Sequence, residues 1–262
     1  MNRIAATFGL LRHTGRAALM PYLTMGYPEP DSALTLVPAL VAAGADLVEL
    51  GVPFGDPLAD GATIQAASQQ ALRNGMSLAL CLEQAAVLRG QGVIVPLILM
   101  GYYNPLLQMG LNAFARCAAQ AGIDGVIVPD LPLEEAEGLQ AALRNEEIDL
   151  IFLLAPTSDE HRVRDVAEKA SGFLYLVSLT GVTGARSDLP SELENLVARV
   201  RAATDLPLAV GFGISTPAHA ARVARVADGV IVGSALIAAL GHAGDPAQAA
   251  RELTASLRAA IG

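Results

Sequence analysis

The chain has one lysine, Lys169, and two cysteines among its 262 residues, and only 16% of its residues are charged. No apolar run reaches the roughly 18 residues that mark a membrane-spanning helix. The N-terminal stretch from Met1 to Arg12 lacks the long apolar region of a secretory signal. Cys81 and Cys117 each fall in a helix-like segment and read as small core hydrophobes in a reducing compartment, so a cytoplasmic protein is expected. Net charge is −9, with none of the basic bias of a phosphate-backbone binder. Nucleic acid and membrane are therefore not expected as partners. A small phosphorylated ligand stays open, because backbone N–H groups hold phosphate without Lys or Arg.

Several catalytic signatures are missing. No G-x-G-x-x-G follows the first strand-like run, and there is neither a Walker motif nor a G-x-S-x-G elbow. His13, His161, His219 and His242 make no pair with a His, Cys or acidic residue at metal-ligand spacing, so no metal site is expected. Lys169 lies in a helical stretch. With no lysine in a strand, a Schiff-base aldolase is excluded, and carbon–carbon cleavage here has to be acid–base chemistry.

What is present is a folded, apolar chain: 53% hydrophobic, with mean hydropathy +0.45. Eight short apolar runs alternate with Ala-rich helical stretches. The runs are 17–24, 46–52, 93–101, 125–128, 149–155, 173–178, 206–211 and 229–233. Most are apolar on consecutive positions, as in parallel strands buried on both faces. Helices are expected near 31–43, 61–73, 77–90, 111–121, 133–146, 158–170, 191–203, 216–225 and 246–261. Thr157 with Glu160 and Ser191 with Glu194 have capping-box spacing, and Thr216-Pro217 and Asp245-Pro246 read as helix starts. Pro38 should kink or interrupt the first of these helices. Eight β/α alternations predict a single (β/α)8 TIM barrel of class α/β over residues 1–262, with an open doubly wound sheet as the competitor.

In such a barrel, chemistry sits at the C-terminal ends of the strands. Glu49 is a carboxylate inside the apolar run Asp46-Leu-Val-Glu-Leu-Gly-Val52. It has to be ion-paired, neutral or functional, the last as a general acid/base with a raised pKa. The loop Pro53-Phe-Gly-Asp-Pro-Leu-Ala-Asp-Gly61 supplies Asp56 and Asp60. Asp60 reads as a helix N-cap or as a second acid/base group, and Asp56 as turn chemistry or function. Gly211-Phe-Gly-Ile-Ser215 and Gly233-Ser234, after the seventh and eighth strands, suit a phosphate site or tight turns. Thr180-Gly-Val-Thr-Gly184 has the look of a hinged lid.

These segments together resemble the tryptophan synthase α subunit family. Leu47-Val-Glu-Leu-Gly-Val-Pro-Phe-Gly-Asp-Pro-Leu-Ala-Asp-Gly61, continuing to Gln65, is similar to its signature. So are Pro21-Tyr-Leu-Thr24, Met100-Gly-Tyr-Tyr-Asn-Pro105, Asp124-Gly-Val-Ile-Val-Pro-Asp-Leu-Pro132 and the three glycine-containing loops. The resemblance spans essentially the whole chain. It implies retro-aldol cleavage of indole-3-glycerol phosphate to indole and glyceraldehyde 3-phosphate, with Glu49 and Asp60 catalytic. It implies an indole pocket of Tyr22, Met100, Tyr102, Tyr175 and Phe212. Phosphate binding falls to Gly184, Gly211, Gly213, Gly233 and Ser234, and lid closure to Thr183. It further implies an α2β2 complex with a β subunit that carries PLP, while this chain needs no cofactor. Pro53, Asp56, Asn104 and Pro132 fall on the expected partner rim, where the prolines otherwise only shape loops. Gly55, Ala62 and Leu179 depart from the usual Ser, Pro and polar or basic residues, and bear on loop mobility and coupling. A standalone indole-releasing lyase, another phosphate-binding barrel enzyme and a non-catalytic regulatory subunit are the alternatives.

Overall fold

The structure is a computed structural model that describes residues 3–177, 191–211 and 213–262. Eight parallel strands close into a barrel in sequence order. They are β1 Ala18–Thr24, β2 Val48–Gly51, β3 Leu97–Met100, β4 Gly125–Ile127, β5 Asp149–Leu154, β6 Leu174–Val177, β7 Leu208–Gly211 and β8 Gly229–Val232. Nearly every strand residue is buried, since helices cover the outside and side chains fill the inside. The open sheet is thereby excluded.

The surrounding helices are α1 Arg3–Thr14, α2 Ala33–Ala42, α3 Ala62–Arg73, α4 Leu78–Gly90, α5 Tyr103–Met109 and α6 Leu111–Gln120. They continue with α7 Glu137–Arg144, α8 Glu160–Lys169, α9 Ser191–Arg201, α10 Pro217–Ala224, α11 Ser234–His242 and α12 Pro246–Ile261. The expected caps at Thr216 and Asp245 form, each side chain accepting a backbone N–H of the first turn. Thr157 does not cap α8: Asp159 does, accepting from the Arg162 N–H at 2.8 Å. Pro38 does not interrupt α2, which runs unbroken through it. Cys81 is buried as expected, whereas Cys117 lies on the exposed side of α6.

Helix α1 closes the end of the barrel where the strands begin. Ile4, Phe8 and Leu11 sit at helical spacing on one face and join the cluster inside the barrel with Met20, Ile98, Ile127, Ile151 and Phe173. The Phe8 and Phe173 rings lie 5.8 Å apart. A Cβ at Gly125 would stand 3.0 Å from Ile4 Cδ1 and 2.7 Å from Ile151 Cδ1, so glycine there lets the plug seat.

Three aspartates fasten neighbouring strands at this same end. Asp46 Oδ2 accepts the Leu19 N–H at 2.9 Å, and the Asp46 N–H returns to the Leu19 carbonyl. Asp124 closes the same ring with Leu97, and Asp228 with Leu208. Each carboxylate also takes an arginine from a helix: Arg258 at 2.7 Å, Arg89 at 2.6 Å, and Arg201. The pentapeptide Asp-Gly-Val-Ile-Val occurs twice, at 124–128 and 228–232, so two of the clasps open identical segments.

Candidate active site

At the opposite end of the barrel a cavity of 590 Å³ opens. Its lining brings together Glu49, Asp60, Tyr22, Met100 and Tyr175 with Gly213, Gly233 and Ser234. Eight residues from seven segments of the chain thus converge on one space. Ile64, Val177, Ile214 and Ile231 add apolar wall that motif reading did not single out.

Glu49 points inward from β2, level with Tyr22 on β1 and Ile98 on β3. It is fully buried, and neither carboxyl oxygen has a hydrogen-bond partner among the described residues. Among the described residues no ion pair forms at Glu49. Burial alone pushes its pKa up to about 8, so the group is mostly protonated at neutral pH.

Asp60 sits on the loop between β2 and α3. It does not cap α3, whose N-cap is Gly61 with no side-chain bond. Instead Asp60 Oδ2 accepts from Tyr102 Oη at 3.2 Å, and that hydroxyl accepts the Ala59 N–H at 3.0 Å. Gln65 on α3 pins the loop from below, donating Nε2 to the Asp60 carbonyl at 2.8 Å. Burial raises the Asp60 pKa to about 6, and the tyrosine hydroxyl holds the rise in check. Near pH 7 the cavity therefore holds a neutral carboxylic acid and a carboxylate, one able to give a proton and one to steady positive charge.

Tyr102, expected in the pocket wall, does not line the cavity: its hydroxyl holds Asp60 and its ring stacks on Phe54 at 4.9 Å. Gly211, expected beside phosphate, is also absent from the lining. A Cβ there would lie 2.1 Å from Tyr175 Oη, so this glycine leaves room for Tyr175. Gly51 does the same for Tyr22, with an identical 2.1 Å clash. Two inward tyrosines thus lie over glycines that end the adjacent strands.

The far end of the cavity is built of backbone. Gly213 has φ +74°, a conformation natural to glycine. Gly233 precedes α11 without capping it by a side chain, so N–H groups of the first turn remain unpaired within the helix. Together with the helix dipole, such free N–H groups are able to hold an anion without a cation. Phe212, Thr183, Gly184 and Leu179 lie outside the described residues.

On the rim, Asp56, Asn104 and Pro132 are exposed. Pro53 is buried at the root of the loop and offers no surface. Asn104 and Pro105 belong to α5 and not to a loop. Leu58 is 85% exposed and Leu107 52%, two large apolar side chains left to solvent near the mouth. Among the described residues, no helix is long and apolar enough to cross a membrane.

Residues 8–261 match the sequence model of the family described as tryptophan synthase alpha chain. The chain belongs to that family. It is 60% identical over 237 residues to the tryptophan synthase alpha chain of Chloroflexus aurantiacus, covering 90% of this chain and 89% of that one. It is 56% identical to the Roseiflexus castenholzii alpha chain, over 98% of this chain and all of that one. Among solved structures, tryptophan synthase subunit alpha from Legionella pneumophila superposes with a TM-score of 0.93 at 42% identity, over 100% of this chain and 98% of that one. Membership of this family, with the superposition on a solved alpha subunit, agrees with the closed eight-stranded barrel described above.

Proposed function

We propose that this cavity cleaves indole-3-glycerol phosphate, with Glu49 as the proton shuttle and Asp60 as the electrostatic partner. As a member of the tryptophan synthase alpha chain family, the chain serves as a lyase in tryptophan biosynthesis. In our reading, Glu49 in its acid form protonates indole C3, and positive charge spreads to the ring nitrogen. The Asp60 carboxylate accepts the indole N–H and stabilises that charge. Glu49, now a carboxylate, removes the proton from the carbinol hydroxyl. The C–O bond becomes a carbonyl, the C3–carbon bond breaks, and its electrons restore the indole ring. Glu49 ends protonated, ready for another cycle. Gly213, Gly233, Ser234 and the open start of α11 take the phosphate.

The observation that carries this reading is the unpartnered, fully buried Glu49 within the same cavity as the tyrosine-held Asp60. Burial keeps Glu49 protonated, while at Asp60 the Tyr102 hydroxyl opposes burial and favours the carboxylate. The purified chain should release indole from indole-3-glycerol phosphate, and Glu49→Gln should lower turnover about 10²–10⁴-fold. Near-normal turnover in that variant refutes the assignment.

The chain acts with a tryptophan synthase beta chain. We read the assembly as α2β2 in the cytoplasm, with PLP held by the beta chain. Exposed Leu58 and Leu107 beside Asp56, Asn104 and Pro132 support docking at the mouth.

A further inference from the structure

Tyr22 carries more chemistry than an aromatic wall needs. Its side chain lies between Gly233 and Gly51. At one end its Cδ1 lies 3.5 Å from where a Cβ on Gly233 would stand, and at the other its hydroxyl lies over Gly51, two residues beyond Glu49. A phenylalanine would supply the same wall. The hydroxyl therefore requires its own account.

That hydroxyl lies 3.4 Å from Thr24 Oγ1, and no other hydrogen bond joins either group among the described residues. Two O–H protons share one contact. If Tyr22 donated to Thr24, the Thr24 proton would be left without an acceptor at a site with no solvent exposure. An unmet buried donor is costly, so the favourable arrangement has Thr24 donating to Tyr22. The Tyr22 proton then points away from Thr24, and Tyr22 lines the cavity whereas Thr24 does not. Burial and the nearby charge of Asp60 keep the phenol protonated, hence a donor.

We propose that Tyr22 Oη donates a hydrogen bond to the hydroxyl-bearing carbon chain of the substrate, making Tyr22 a residue that selects a hydroxylated chain over a plain alkyl one. The proposal rests on the proposed function above. There the indole N–H goes to Asp60 and the phosphate to the Gly233 end. The three-carbon chain between them passes alongside Tyr22, with Glu49 level with it on the next strand.

The test compares two ligands in the wild type, Tyr22→Phe and Thr24→Val: indole-3-glycerol phosphate as substrate, and indole-3-propanol phosphate, which lacks the chain hydroxyls, as inhibitor. Tyr22→Phe should lower kcat/KM for the substrate about 10-fold and leave the inhibitor Kd unchanged. Thr24→Val keeps the phenol but removes the donor that orients it, and should give a smaller loss on the substrate alone. Wild-type kcat/KM in Tyr22→Phe overturns the proposal. So does an equal loss for both ligands, which means that the pocket changed shape. If Tyr22→Phe does not fold, Thr24→Val decides, and full activity there overturns the orientation argued above. A wild-type chain that leaves indole-3-glycerol phosphate uncleaved overturns the underlying function itself, an outcome distinct from the other three.

Discussion

Tyr102 Oη stands 3.2 Å from Asp60 Oδ2, so a residue at the start of α5 holds a carboxylate on the loop after β2. The bond lowers a pKa that burial has raised. Tyr102→Phe keeps the ring on Phe54 and removes the hydroxyl. The Asp60 pKa should then rise above about 6, moving the acidic limb of the kcat–pH profile to higher pH. The loss should be greater at pH 6 than at pH 8. An acidic limb that stays in place shows that Tyr102 does not set the Asp60 charge.

Glu49 should also govern how stability varies with pH. Its folded-state pKa of about 8 lies above the 4.5 of an unburied group, so the folded chain binds the proton more tightly. Stability from this group is fully present below about pH 4.5 and is lost as pH rises through 8, at about 1.4 kcal/mol per unit within that window. Glu49→Gln cannot ionise. Urea unfolding should show the variant gaining on the wild type steadily between pH 5 and 8. Parallel stability curves would place Glu49 in a wetter site than the barrel interior described above.

The clasp at Asp124 should matter far more than a surface ion pair. Asp124→Ala strips the Leu97 N–H of its acceptor and leaves the half-buried Arg89 without its carboxylate. The expected cost is about 3–5 kcal/mol. Glu134→Ala, which removes the exposed partner of Arg162, should leave the unfolding midpoint in place. Catalysis lies at the other end of the barrel, so any folded Asp124→Ala enzyme should keep its KM. A changed KM would mean that the two ends communicate.

Docking can be separated from bond breaking. Asp56→Ala and Leu107→Glu alter exposed rim positions outside the cavity lining. Each should reduce the rate gain on adding a beta chain more than it reduces the basal rate. Steady-state assays with and without a beta chain measure both. A loss confined to the basal rate would assign these residues to the reaction itself.

The barrel was legible because burial on both faces writes strands as unbroken apolar runs. Glu49 was legible for the same reason, as a charge where the pattern allows none. Helix α1 was not singled out, although Ile4, Phe8 and Leu11 are correctly spaced, because a lone amphipathic stretch before the first strand carries no topological signal. Helix α5 was hidden by Pro105, which here falls in the first turn, where its missing N–H costs nothing. The repeat Asp-Gly-Val-Ile-Val was visible in the sequence, but its meaning lies in contacts with Leu97 and Leu208 that only folding creates. Tyr102 and Gly211 were assigned through the family resemblance. Their actual neighbours, Asp60 and Tyr175, depend on how a loop folds back and on which way a strand side chain faces.

Helix α1 seals one end of a barrel whose interior is already filled with side chains. Ile4, Phe8 and Leu11 stopper one end, so whatever forms beside Glu49 has no rear exit and must leave past Asp60 and the rim. Entry and departure share one doorway. Traffic through it is sequential: the spent molecule clears the threshold before its successor arrives. A protein resting on that threshold would meet the product as it leaves.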